Sequence, residues 1–254
     1  MTLKNTLLEL VQNYSETDIL DKIEKYLSKP VGFFHITSLN PEIISYAIYD
    51  QQYNQIVKSS HIRINDGVGL VVAGQILGIQ VQPRITGVDL MVSLLNYANK
   101  NSLSVMLIGG GEKVAERVVE CQRKQFAKVK FISLQGIVNI KMPTSDEEQK
   151  IFSIVAAAKP QFLFVAFGSP YQEQWIYNHQ EQLKGIVCMG VGGAFDLLSG
   201  NLPRPPRIIR NLGLEWLFRL ITSPKRLHKQ SYWIKLIGLA VKERVIEISR
   251  IRSR

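Results

Sequence analysis

The feature that most constrains this chain is a repeated alternation. Short apolar runs end in glycine, asparagine or aspartate, and a stretch with helical spacing follows each. The run Phe162–Phe167 (FLFVAF) is the sharpest case, with no polar residue on either face. As a strand it must be covered on both sides. Val31–Thr37, Ile62–Ile64, Ser104–Ile108, Val129–Leu134 and Ile186–Met189 read as further strands. The spacing between them predicts helices from Pro41 to about Lys58, over Val68–Leu77, over Leu90–Lys100, from about Glu112 to Phe126, from about Ser145 to Ala158, and over Gln172–Gln182. Asn40 can cap the first of these with Pro41 at its first position, and Thr144 or Ser145 can cap the fifth. Residues 1–29 read as one or two further helices closed by Pro30. Strand-helix alternation with doubly apolar strands predicts an α/β fold: a parallel, Rossmann-like sheet with helices on both faces.

In such a sheet the loops that follow the strands share one edge, where ligands bind. Ser38 and Asn40, Asn65-Asp66-Gly67, Gly109–Gly111, Gly168–Gln172 and Gly190–Gly193 all fall in these loops. The stretch Ile62–Met91 is the densest. It sets the carboxylate of Asp66 at a strand end, with the cation of Arg84 available to converge on it. An Asp-Gly pair alone is a common turn, and so is a glycine run. The functional reading rests on their recurrence along one edge. Gly109, Gly110, Gly168 and Gly192 are candidates to let backbone amides approach a phosphate. Gly109-Gly110-Gly111 lacks the later glycine of a dinucleotide fingerprint. The chain also lacks a phosphate-loop lysine motif, a zinc-protease motif, a nucleophile-elbow serine and an Asp-x-Asp pair. His35, His61, His179 and His228 have no ligand spacing. No metal and no other cofactor is expected, so cationic side chains must neutralise any leaving phosphate.

The charge is unevenly placed. The net charge is +10, yet residues 201–254 hold 13 Lys+Arg against three Asp+Glu, so the first 200 residues are neutral. Leu202-Pro203-Arg204-Pro205-Pro206 reads as a stiff linker. Large apolar residues then alternate with arginines as far as Ile221, Pro224 breaks the run, and a second basic helix is expected from about Lys225 or Tyr232 to the end. Two regions are therefore expected: an α/β catalytic core over 1–200 and a basic helical appendage over 201–254. The asymmetry calls for an anionic partner, and the interleaved apolar residues fit a membrane surface better than nucleic acid. The N-terminus lacks the continuous apolar region of a secretory signal, and no run reaches the roughly 18 apolar residues of a membrane span. Cys121 and Cys188 suggest no disulfide framework, in keeping with a reducing cytoplasm.

Five core segments resemble the WecG/TagA/CpsF glycosyltransferases. They are Ser38-Leu39-Asn40-Pro41-Glu42, Asn65–Gly69, Pro83–Leu90, Gly168–Glu173 and Gly190–Asp196. Arg204-Pro205-Pro206, Leu214–Leu220 and Pro224-Lys225-Arg226 extend the resemblance into the basic region. It implies an inverting, metal-independent transfer of a sugar such as N-acetylmannosamine. The donor would be a UDP-sugar and the acceptor a polyprenyl-diphosphate-linked sugar, in cell-surface polysaccharide or teichoic-acid-type synthesis. By the same resemblance Asp66 is the general base and Arg84 and Gln172 line the pocket. Arg219 and Arg226 meet the diphosphate from an appendage that binds the membrane and folds over the site. Lys229, Trp216 and Asp196 read more simply as a solvated cation, a packing or interfacial aromatic and a helix cap. The family usually has Thr-x-Asn in the first loop. Here Asn40 is in place, and either Thr37 or Ser38 supplies the hydroxyl. A homo-oligomer is compatible with this picture.

Two other classes compete. Another Rossmann-type nucleotide-dependent enzyme would use Gly109–Gly111 as its cofactor loop and need an acidic residue at the end of the next strand. That strand runs out in Ser133-Leu134-Gln135-Gly136 instead. A membrane- or nucleic-acid-binding protein would explain the basic region but not the polar strand ends.

Overall fold

In the computed structural model of the protein, residues 1–82, 84–206, 208–209, 214–222 and 227–252 are described, with backbone alone for 216, 219, 220, 227–230, 251 and 252. Six strands form one sheet: β1 (Phe34–Leu39), β2 (Ile62–Asn65), β3 (Ser104–Gly109), β4 (Lys130–Leu134), β5 (Phe162–Ala166) and β6 (Val187–Gly190). Their order is β2-β1-β6-β5-β3-β4, and every neighbouring pair is parallel. All residues of β1, β2, β5 and β6 are buried, as doubly covered strands must be. The expected α/β sheet is thus observed.

Alternation along the strands splits the core. Phe162, Phe164, Val187 and Met189 pack on one side with α2 (Glu16–Ser28), α6 (Gly87–Lys100) and α7 (Val114–Gln122). Leu163, Val165 and Cys188 pack on the other with α8 (Ser145–Ala158) and α9 (Tyr171–Asn178). A further cluster joins Leu39 to α1 (Leu3–Leu10), α3 (Pro41–Tyr49), α4 (Gln51–Lys58) and α5 (Val68–Leu77).

Several expected boundaries move, among them β1, expected over Val31–Thr37, and the end of α9, expected at Gln182; three of the shifts have a plain local reason. The helix expected over 41–58 is two helices, because the Asp50 side chain accepts from Tyr53 N–H and starts a new one. The helix expected from Leu90 starts at Gly87, where Thr86 caps it by accepting from Asp89 N–H. Lys113, at φ +57°, holds back the start of α7.

After β6 come α10 (Ala194–Leu198), α11 (Glu215–Thr222) and the 26-residue α12 (Leu227–Arg252). The residues after about 230, expected to add only basic surface, do more than that. Leu236 and Ala240 of α12 are fully buried in the cluster with α1, α3 and α5. The carboxylate of Glu243 accepts from the N–H groups of Leu3 (2.6 Å) and Lys4 (2.9 Å), so α12 caps the first turn of α1. The Trp233 ring sits over Gly69, where a Cβ would lie 2.2 Å from Cδ1 and 3.2 Å from Pro41 Cγ. Arg204, in the expected linker, pairs with Asp89 in the first turn of α6.

The missing Cβ at Gly69 is therefore a seat for α12. In a helix interior, alanine normally gains about 1 kcal/mol over glycine. Here Gly69→Ala is expected instead to lower stability by about 1–3 kcal/mol through overpacking. Thermal melts check this, and adding Trp233→Ala should relieve most of the further loss.

Candidate functional site

Parallel strands bring their C-terminal ends to one edge, and a cavity of about 360 Å³ lies there. Residues at or after β1, β2, β3, β5 and β6 line it; among the described residues, β4 and its following loop contribute none.

The β1 end settles which hydroxyl faces the cavity. Successive side chains on a strand point to opposite faces. Ser38 lines the cavity, and its Oγ donates to Asp66 Oδ2 at 3.0 Å. Thr37 is not among the residues that line the cavity. Its Oγ1 lies 2.6 Å from Ser60 Oγ and 3.4 Å from His35 Nε2, in a wholly buried polar cluster. Burial there pushes the His35 imidazole down to about 3, so it is neutral. Asn40 lines the cavity and caps α3 by accepting from Ile43 N–H at 3.0 Å.

Asp66 is held from three sides. Its N–H donates to Leu39 O at 2.7 Å, tying the turn to β1. Its Oδ2 accepts from Ser38 Oγ and from Gly87 N–H, each at 3.0 Å. Gly87 is needed at this approach, because a Cβ would lie 3.1 Å from Ser38 Oγ and 3.4 Å from Asp66 Oδ2. Arg84 comes close through its backbone, which bridges in parallel to Asn65. It is not among the residues that line the cavity. Arg219 lies on α11 with its side chain outside the described residues, and Arg226 lies outside them altogether.

The glycine loops differ from expectation in one respect. Gly110, Gly168 and Gly192 line the cavity, while Gly109 ends β3 behind it, against Phe167. Their N–H groups, however, are turned to the protein. Gly110 donates to Ala166 O at 2.9 Å, and Gly168 and Gly192 donate to Gln172 Oε1 at 3.2 and 3.1 Å. These three amides are thus spent within the protein rather than offered to a phosphate. Gln172, expected in the pocket, does line the cavity; it is 4% exposed and also ties the loops after β5 and β6 together.

Three groups had no site role in the sequence reading. Glu42, in the first turn of α3, lines the cavity. So does Asp196, on α10, which adds a carboxylate to the wall besides any capping role. Behind them Glu173 is fully buried, accepting from Gln172 Nε2 at 2.7 Å and from Tyr53 OH at 3.0 Å. Burial pushes its carboxyl up from 4.5 to about 7, against the opposing pull of the Gln172 and Tyr53 hydrogen bonds. Glu173 stands beside Gln172 in sequence, but its partner Tyr53 is far away on α4. No local pattern could have paired them.

A model of the glycosyl transferase WecG/TagA/CpsF family matches residues 6–250. The chain belongs to that family. An N-acetylglucosaminyldiphosphoundecaprenol N-acetyl-β-D-mannosaminyltransferase of Bacillus subtilis (strain 168) is 33% identical over 216 residues, 84% of this chain and 81% of the relative. A protein of the same description from Staphylococcus aureus (strain NCTC 8325 / PS 47) is 30% identical over 219 residues, 85% and 84% of the two chains. The matched span of this glycosyltransferase includes both the strand-end cavity and most of the basic C-terminal region.

Glu173 makes the stability of this family member depend on pH. A carboxyl raised in the folded state leaves the fold unpenalised below its unfolded value. It then costs stability as pH rises from about 4.5 to about 7. Glu173→Gln should remove that cost, so relative to wild type it gains about 2–3 kcal/mol between pH 5 and pH 8. Urea titrations at the two pH values check this.

Proposed function

We propose that the protein transfers N-acetylmannosamine or a close relative from a UDP-sugar to a polyprenyl-diphosphate-linked N-acetylglucosamine, with inversion and without a metal. The observation that carries this reading is the carboxylate of Asp66, oriented at the cavity by Ser38 Oγ and Gly87 N–H. The relatives named above supply the substrate class. In the proposed step Asp66 takes the proton of the acceptor hydroxyl. The acceptor oxygen bonds to the anomeric carbon as the bond from that carbon to the UDP oxygen breaks. The electron pair leaves with the diphosphate. Ser38 keeps one carboxylate oxygen in place and does not itself react.

The described residues lining the cavity include Glu42, Asp66 and Asp196 but no lysine or arginine. Under this reading the charge on the leaving diphosphate is met by cations from outside that lining, with Arg84, Arg219 and Arg226 the assigned candidates. Metal independence is part of the same proposal, and the comparison with and without EDTA tests it.

The membrane surface is the second partner proposed. No helix among the described residues is long and apolar enough to cross a membrane. Ile208 and Ile221 are each 72% exposed in a region rich in arginine, a combination suited to an anionic lipid surface.

Two measurements test this. UDP release is followed with a panel of UDP-sugars and a short-chain prenyl-diphosphate-GlcNAc acceptor, with and without EDTA. The wild type is expected to turn over one donor regardless of EDTA, and Asp66→Asn to lose about 10²–10⁴-fold in kcat. Unchanged turnover in Asp66→Asn would remove it as the base. In vesicle flotation, protein should rise with phosphatidylglycerol vesicles and be released as salt increases. Equal flotation with neutral vesicles would count against the electrostatic part.

A further inference from the structure

The two loops after β5 and β6 form the side of the cavity away from Asp66, since the sheet order places β6 and β5 beyond β1 from β2. In an inverting displacement the base and the leaving group stand on opposite sides of the reacting carbon. Resting on the function proposed above, these loops therefore belong to the donor side. What joins them is one amide oxygen, Gln172 Oε1, which accepts from both Gly168 N–H (3.2 Å) and Gly192 N–H (3.1 Å). Only an oxygen can accept from two N–H groups. A flipped amide would set its own N–H groups against them and break both bonds.

We propose that Glu173 is a positioning residue for the donor side: anchored by Tyr53, its carboxylate selects the one Gln172 amide orientation that clamps the loops after β5 and β6 together. Glu173 Oε1 accepts from Gln172 Nε2 at 2.7 Å, and it also accepts from Ser169 Oγ at 3.4 Å. With Glu173 ionised, a flipped amide would face oxygen to carboxylate oxygen, which is repulsive. Glu173 Oε2 accepts from Tyr53 OH at 3.0 Å, and Tyr53 is 1% exposed on α4, so the carboxylate has no freedom to follow a flip. Gly190 leaves the room for this arrangement: a Cβ there would lie 2.8 Å from Gln172 Nε2 and 2.9 Å from Glu173 Oε1. A fully buried acid is a costly way to fill space, and an apolar side chain would fill it more stably. The acceptor role toward Gln172 gives the acid its reason.

The test compares Glu173→Met, Glu173→Gln and Tyr53→Phe with wild type by two readouts. The first, independent of turnover, is hydrogen exchange of the Gly168 and Gly192 amides by NMR. The second is the Michaelis constant for each substrate. Glu173→Met keeps the bulk but offers no oxygen. It is expected to speed exchange of both glycine amides about tenfold or more and raise the donor KM about tenfold, with the acceptor KM within about twofold. Glu173→Gln, which keeps an acceptor oxygen, should fall between, as should Tyr53→Phe. A purely structural role would lower the active fraction, and so the apparent kcat, with donor KM unchanged; that result overturns the proposal. So does protection of both amides in all three variants. If wild type turns over no UDP-sugar, the functional reading fails, and the exchange data still decide whether Glu173 sets the clamp.

Discussion

Burial of both faces of a parallel sheet leaves a chain few places for polar chemistry. Four of the six strands here are buried at every residue. Their backbone polar groups are satisfied mainly within the ladders, with Gln12 Oε1 accepting from Arg63 N–H at the edge strand β2, and their side chains pack against helices on both sides. Functional polar groups are thus confined to the strand ends. Parallel connection brings those ends to one edge, with each following helix directed away from the cavity. The cavity between Ser38, Asp66, Gly110, Gly168 and Gly192 follows from topology before any side chain is chosen.

Within that frame, orientation at the edge is set by few hydrogen bonds. Register pairs Ser38 with Ile64 and Leu39 with Asn65, so the turn after β2 begins level with the end of β1. Asp66 can then reach back to Leu39 O through its N–H while Ser38 and Gly87 hold its carboxylate. Moving β2 by one residue would exchange Asp66 for Asn65 or Gly67 at this point and turn the apolar set to the wrong face. The place of the Asp66 carboxylate is therefore specified by the same register that packs Ile62 and Ile64 into the core.

The strands were legible because each is apolar on both faces and ends in a turn residue. The cap at Thr86 was legible in principle, since Thr86 and Asp89 have capping-box spacing and bond reciprocally. The unbroken apolar run itself begins only at Leu90. Thr37 and Ser38 illustrate a harder limit. Adjacent hydroxyls on a strand point oppositely, and only the packing of His35 and Ser60 behind the strand shows which one faces inward. The docking of α12 was hidden for another reason. Trp233, Leu236 and Ala240 make a narrow helical stripe inside a strongly basic segment, where composition argued for surface. Glu173 and Tyr53 meet only because α4 and α9 pack together, a contact between segments far apart in the chain.

The placement of charge ties these parts into one argument. The described cavity wall carries carboxylates, and the sequence keeps its excess of cations beyond residue 200. A diphosphate leaving group next to Glu42, Asp66 and Asp196 without a counter-charge would meet repulsion strengthened by the low dielectric of the cleft. Under the proposed function, bond breaking is then favourable only when cations from outside that wall, Arg84 and those of the C-terminal region, are near the site. That region is not loosely attached: Trp233 sits on Gly69, three residues after Asp66, and Arg204 pairs with Asp89 on the helix whose Gly87 N–H holds the Asp66 carboxylate. The segment that would supply positive charge thus shares two contacts with the elements that hold the Asp66 carboxylate: Trp233 on α5 and Arg204 on α6.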